Sequence, residues 1–229
     1  ERHEHQNLFV VKPDGSGLKE LSTNTEDELP DWSPDGKSIV FSSTRHGDKE
    51  SRLYIIDDVV YEGGYRAEGR VLNFGPTDVR GENPTWTDDG LIVYSGCDIT
   101  VYPAPCGLFS IPAAPGVHPF EQLTENEEDT APDAYGDRIA FMSNQAGNWE
   151  IYVINLDGSG LKRLTNNSSI DGLPTWSPNG RSIAFVSDQG GTWGVWVMNA
   201  DGSGRRKLFA IGGGGLAFGW QREQISWGP

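Results

Sequence analysis

Four acidic residues, spread along this sequence, each stand two or three positions before a proline. They are Glu28, Glu82, Asp129 and Asp171. If the fold gathers them, the carboxylates repel one another unless they are protonated, hydrated or bridged by a cation. Because carboxylate oxygens are hard ligands that suit Ca²⁺, the set predicts a calcium site. A hydrated acidic funnel that binds nothing specific is the alternative.

Aromatic residues near turns are the second group of candidates. Trp149 and Trp193 each stand just before a short apolar segment, and Tyr61, Tyr65 and Tyr102 lie in irregular stretches. Exposed rings can stack on sugars or anchor a protein partner. We therefore predict that these residues bind a ligand, and packing within the fold is the alternative.

The two cysteines, Cys97 and Cys106, are separated by eight residues rich in turn formers. A disulfide that closes so short a loop is typical of a protein in an oxidising, extracytoplasmic environment. Two free thiols are the alternative. A zinc site is not indicated, because no third cysteine or histidine lies nearby in the sequence.

Motifs of known catalytic chemistry are missing from the sequence. It contains no nucleophile elbow, no His-Glu-x-x-His and no phosphate-binding loop. The histidines (His3, His5, His46 and His118) are scattered and indicate no Ser/His/Asp arrangement. We therefore name no catalytic residue.

The charge of the chain excludes one class of partner. There are 18 Lys and Arg residues against 33 Asp and Glu, which gives a formal net charge of −15. A protein that binds phosphate backbones normally carries a basic stripe, so nucleic acid is not an expected partner. No apolar run approaches the ~20 residues that a membrane-spanning helix needs.

A repeat shows what must position these residues. Asp157 and Asp201 are 44 residues apart, and so are Trp176 and Trp220. Each unit holds four short β-type segments separated by turns such as Asp-Gly-Ser-Gly and Ser-Pro-Asp-Gly. A repeat of about 40–45 residues with four strands is typical of a β-propeller blade. The tryptophan that recurs in the innermost strand, at Trp32, Trp86 and Trp176, is expected in the blade core.

The repeat predicts an all-β fold, a five-bladed β-propeller of four-stranded antiparallel blades, as a single domain over residues 1–229. Four complete blades are expected over residues 29–74, 83–124, 131–165 and 173–209. The fifth blade is shared, because N-terminal strands in residues 8–22 and C-terminal strands in residues 216–227 close the ring without a free sheet edge. Residues 1–6 are expected to form a flexible tail.

Two segments carry a resemblance to a known family. Residues 30–41 read PDWSPDGKSIVF, and residues 174–185 read PTWSPNGRSIAF. Both resemble the TolB-like, WD40-like (PD40) repeat of bacterial β-propellers. The resemblance implies an extracytoplasmic protein that is periplasmic, secreted or on the cell surface.

Together these features favour a noncatalytic binding or scaffold propeller that recognises a protein or a glycan through its loops and channel mouth. One alternative is a hydrolase or lyase that uses channel carboxylates such as Glu28 and Glu82 as acid and base. The other is a structural or self-assembling module of a larger surface protein.

Overall fold

A computed structural model of the chain describes residues 7–22, 26–45, 47–59, 70–71, 73–74, 77–212, 220 and 224–227. The regular elements of this part are β-strands. They are β1 (Phe9–Val10), β2 (Lys19–Glu20), β3 (Asp27–Trp32), β4 (Ile39–Ser43), β5 (Arg52–Ile56), β6 (Arg70–Val71), β7 (Asn73–Phe74), β8 (Thr77–Asp78), β9 (Gly81–Trp86), β10 (Leu91–Cys97), β11 (Cys106–Pro112), β12 (Glu121–Gln122), β13 (Thr130–Tyr135), β14 (Arg138–Ser143), β15 (Glu150–Asn155), β16 (Lys162–Arg163), β17 (Asp171–Trp176), β18 (Ser182–Ser187), β19 (Gly194–Asn199) and β20 (Arg206–Ala210).

The strands form four antiparallel, four-stranded sheets in which chain neighbours pair. We call them blade I (β3–β6), blade II (β9–β12), blade III (β13–β16) and blade IV (β17–β20). β1 pairs with β2 in a two-stranded sheet, and so does β7 with β8. The architecture is therefore an all-β propeller, as the repeat predicts.

The prediction of a fifth blade is wrong for the described residues, which form four complete blades and the half-blade β1–β2. A fifth blade would need two more strands from residues 216–227. Residues 216–219 and 221–223 lie outside the described part, and residues 224–227 are irregular and line the central cavity. The half-blade thus has no third strand in the described part of the chain.

The core lies between blades, where each blade packs against the next. Val40 and Ile55 of blade I meet Ile92 and Phe109 of blade II. Similar clusters join blade II to blade III and blade III to blade IV. Burial of these side chains ties the blades together by the hydrophobic effect.

The innermost strand of every blade carries the same β-bulge. The residue before its proline has a positive φ: 54° at Leu29, 53° at Asn83, 49° at Ala131 and 50° at Leu173. In blade III, Thr130 pairs with Met142 and Asp133 with Ala140, so β13 holds one residue more than β14 between these pairs. Such a bulge changes the direction of the side chains that follow it. In this protein those side chains line the central cavity.

The recurrent tryptophans do not share one environment. Trp176 is 4% exposed and packs against Tyr135 and Arg138 of the preceding blade, with the guanidinium 4.5 Å from the indole ring centre. Trp32 is 41% exposed, in contrast to the expectation that it is a core residue. The unit that precedes Trp32 is the half-blade, which provides no inner strand in the described part of the chain to cover the ring.

Candidate functional site

A cavity of about 320 Å³ lies on the propeller axis, where the four inner strands converge. The proline of each inner strand contributes to its wall, and so does the polar residue that follows. These residues are Pro30 and Asp31, Pro84 and Thr85, Pro132 and Asp133, and Pro174 and Thr175. The bulge before each proline therefore builds one ring of polar side chains around the axis.

The polar ring is bonded from one blade to the next. Asp31 Oδ2 accepts hydrogen bonds from the Trp86 amide at 2.7 Å and from Thr85 Oγ1 at 3.2 Å. Asp133 repeats this arrangement one step around the ring, since its Oδ2 accepts a hydrogen bond from the Trp176 amide. Each aspartate thus belongs to one blade and accepts a hydrogen bond from the backbone of the next blade.

The environment of the two aspartates disfavours their charge. Burial raises the pKa of Asp133 to about 7, against the lowering effect of the Trp176 amide, and repulsion from Asp31 adds to the rise. Burial also raises the pKa of Asp31, although the hydrogen bonds from Trp86 and Thr85 oppose it. The channel therefore contains two carboxyl groups that bind protons more readily than an exposed carboxylate.

Aromatic and polar side chains form the rim of the cavity. Trp32 and Trp227 both line it, with 41% and 39% of their surface exposed. Gln224 and Ser226 are also exposed at this rim. Rings that can stack and groups that can donate or accept hydrogen bonds are the usual components of a small binding cavity.

Two of the predicted metal ligands lie inside blade junctions. Asp129 and Asp171 are 2% and 1% exposed. Asp171 Oδ2 accepts a hydrogen bond from Asn167 Nδ2 at 2.7 Å, and Asp129 interacts with Thr124 and Ser143. Burial raises the pKa of both aspartates. Their hydrogen bonds thus connect the end of one blade to the inner strands of the next.

The predicted carboxylate ring does not form. Glu28 and Glu82 stand one strand position after the site that Asp129 and Asp171 occupy, as the pairing of Glu28 with Ser42 and of Asp171 with Ser187 shows. Successive strand residues point to opposite faces, so the four side chains cannot share one mouth. Among the described residues, no three His, Cys, Asp or Glu side chains are grouped as metal ligands. The calcium prediction therefore has no support here.

The predicted aromatic ligand-binding residues are divided in the structure. Trp149 and Trp193 are half-buried, and both pack against Trp220 with ring centres 6.1 and 5.6 Å away. These contacts favour the packing alternative for the two rings. Tyr102 is 99% exposed, while Tyr61 and Tyr65 lie outside the described residues.

The predicted disulfide is confirmed, since Cys97 and Cys106 are bonded. The two residues face each other at the last pair of β10 and β11. The bond therefore closes the base of the loop formed by residues 98–105.

Asp31 and Asp133 are residues of the cavity that the sequence does not predict. A signal was available, because a polar residue follows the inner-strand proline in every blade. The positive φ before that proline is what turns these positions toward the axis. If the inner strands alternated regularly, the side chains of Asp31 and Asp133 would point to the face away from the axis.

A family model described as the "TolB beta propeller domain" (PD40) matches residues 128–217. These residues carry TolB-like β-propeller repeats. The matched part includes blades III and IV, which hold Asp133 and Thr175.

Curated relatives match parts of this chain. The Tol-Pal system protein TolB of Geobacter sulfurreducens is 52% identical over 44 residues, or 19% of this chain and 10% of that protein. The Tol-Pal system protein TolB of Rhizorhabdus wittichii is 32% identical over 80 residues, or 35% of this chain and 16% of that protein. The matched segments thus span less than a fifth of each relative.

Solved structures show the same fold over most of the chain. A putative TolB from Agrobacterium tumefaciens superposes with a TM-score of 0.72 at 20% identity, over 90% of this chain and 70% of that one. An oligogalacturonate lyase in complex with manganese superposes with a TM-score of 0.60 at 16% identity, over 90% and 59%. Identities this low support the fold alone. In the described residues, no helix is long and apolar enough to cross a membrane.

Proposed function

We propose that this TolB-like propeller is a noncatalytic, extracytoplasmic protein-binding module that holds a segment of its partner at the axial cavity. The observation that carries the proposal is the rim, where Trp32 and Trp227 are partly exposed above a ring of hydrogen-bonding side chains. Aromatic anchors beside a polar pocket are a common arrangement in protein recognition. The disulfide supports a location outside the cytoplasm.

The size and chemistry of the cavity limit what can enter. About 320 Å³ admits a few side chains rather than a folded domain. The prolines provide apolar walls, and Asp31 and Asp133 also line the cavity. A short extended segment with an apolar residue and a basic or amide side chain fits this combination.

The names of the curated relatives suggest a first partner to test. The Pal component of the Tol-Pal system from Geobacter sulfurreducens serves as the probe, because the TolB of that organism shares 52% identity with this chain over 44 residues. We expect calorimetry to detect binding and Trp32→Ala to weaken it by about tenfold. Phe209→Ala is the matched control, since Phe209 is 58% exposed on the outer strand of blade IV. Equal binding by both variants would count against the cavity as the binding site.

The hydrolase or lyase alternative is less well supported. Glu28 and Glu82, its predicted acid and base, are not among the residues that line the cavity. Asp31 and Asp133 do line it, but both accept backbone hydrogen bonds that fix the neighbouring blade. Turnover of oligogalacturonides or peptide amides that is lost in Asp133→Asn would revive this alternative.

A further inference from the structure

The disulfide loop of blade II, residues 98–105, presents apolar side chains to solvent. Ile99, Val101 and Tyr102 are 45%, 51% and 99% exposed. The loops at the same place in the other blades, residues 44–51, 144–149 and 188–193, contain no Val, Leu, Ile, Phe or Tyr, and their two tryptophans, Trp149 and Trp193, are half-buried against Trp220. Exposure of these three side chains is therefore a property of blade II and not of the repeat.

The conformation of this loop is held at its base and near its start. The Cys97–Cys106 disulfide closes the base, and the Asp98 amide donates a hydrogen bond to the Pro105 carbonyl at 2.9 Å. The amide and hydroxyl of Thr100 both donate to Asp98 Oδ1, at 2.9 and 2.6 Å. A loop that is ordered before binding loses less conformational entropy when a partner arrives.

An acidic segment begins near the base of the loop. Gln122 Nε2 donates hydrogen bonds to the carbonyls of Cys106 and Thr124, at 3.3 and 2.9 Å, and so joins the disulfide to the end of β12. The next residues along the chain include Glu125, Glu127 and Glu128, all of which are exposed. The apolar loop is thus bordered by carboxylates.

This surface is separate from the axial cavity. Gly96 pairs with Gly81, so the loop after Cys97 lies at the end of blade II where β9 begins. The cavity is lined by Pro84 and Thr85, close to the end of β9. The two surfaces are therefore directed toward opposite faces of the propeller.

We propose that residues 98–105 and 125–128 form a docking surface for a basic protein whose binding site is an apolar pocket bordered by Lys or Arg. Tyr102 is the anchor, since a protruding aromatic ring that fills a pocket is the commonest centre of binding energy. Complementary charge at the rim speeds association and selects the partner. The acidic border makes an anionic lipid surface an unfavourable alternative.

A random peptide display library, panned against the intact oxidised protein, tests the proposal. We expect the enriched peptides to combine Lys or Arg with aliphatic or aromatic residues. A synthetic peptide of the consensus sequence should bind about tenfold more weakly to Tyr102→Ser than to the wild type. Leu161→Ser is the matched control and should bind as the wild type does, because Leu161 is a 50%-exposed apolar residue of blade III.

Four results would overturn the proposal. One is the absence of any enriched peptide, and another is equal binding of the consensus peptide to wild type and Tyr102→Ser. The third is loss of binding in Trp32→Ala with retention in Tyr102→Ser, which would assign the peptides to the axial cavity and support the proposed function alone. Dimers in light scattering that Tyr102→Ser abolishes would instead identify a second copy of the chain as the occupant.

Discussion

Asp133 shows how a single side chain can link pH to the stability of the ring. Its pKa is raised from 3.8 to about 7, with burial as the main cause. Between these values the native state keeps a proton that the unfolded chain has released, so the free energy of unfolding falls as the pH rises from about 4 to 7. The raised pKa of Asp31 acts in the same direction.

We predict that Asp133→Asn flattens this dependence of stability on pH. The side-chain oxygen of the asparagine can still accept the hydrogen bond from the Trp176 backbone amide, but asparagine does not titrate. Urea unfolding at several values between pH 4.5 and 7.5 measures the effect, and Asp137→Asn, at an exposed position of the same blade, is the control. A slope in Asp133→Asn as steep as that of the control would contradict the assignment.

At the scale of the element, the bulged inner strand explains both what the sequence predicts well and what it does not. The repeated turns and the four strands of a blade follow from local sequence. The direction of Asp31 and Asp133 does not, because it depends on a positive φ at Leu29 and Ala131, residue types that rarely adopt it. The predicted carboxylates, Glu28, Glu82, Asp129 and Asp171, all precede this bulge and do not line the axial cavity.

Ala131 offers a test of the energy stored in this bulge. Its φ is 49°, a conformation that costs an alanine about 1 kcal/mol and a glycine almost nothing. Ala131→Gly should therefore leave the free energy of unfolding unchanged or raise it by up to about 1 kcal/mol. Ala140→Gly, at a fully buried strand position, should lower it by about 1 kcal/mol. Equal losses in both variants, measured by chemical denaturation, would show that the bulge is not strained.

At the scale of the whole molecule, position in the ring decides the role of each repeated residue. Trp176 and Trp32 occupy the same place in the repeat, but they are 4% and 41% exposed because different units precede them. We expect Trp176→Ala to cost about 3–5 kcal/mol of unfolding free energy and Trp32→Ala less than about 1 kcal/mol. Calorimetric melting of both variants checks this difference, and similar losses would contradict it. The predicted fifth blade depends on residues 216–227, of which only 220 and 224–227 belong to the described part of the chain.

The bonds that pass from each inner strand to the next have a practical meaning for protein engineering. Asp31 accepts a hydrogen bond from the Trp86 amide of blade II, and the Ala134 amide of blade III donates to Thr85 Oγ1 at 3.4 Å. A blade transplanted from another propeller in place of blade III must therefore keep two hydrogen bonds. It needs an acceptor at position 133 for blade IV and a backbone amide at position 134 that can donate to blade II. The unit that can be exchanged in this molecule is the junction between two blades. Chimaeras cut at blade boundaries lose the hydrogen bonds between inner strands on both sides of the exchanged blade.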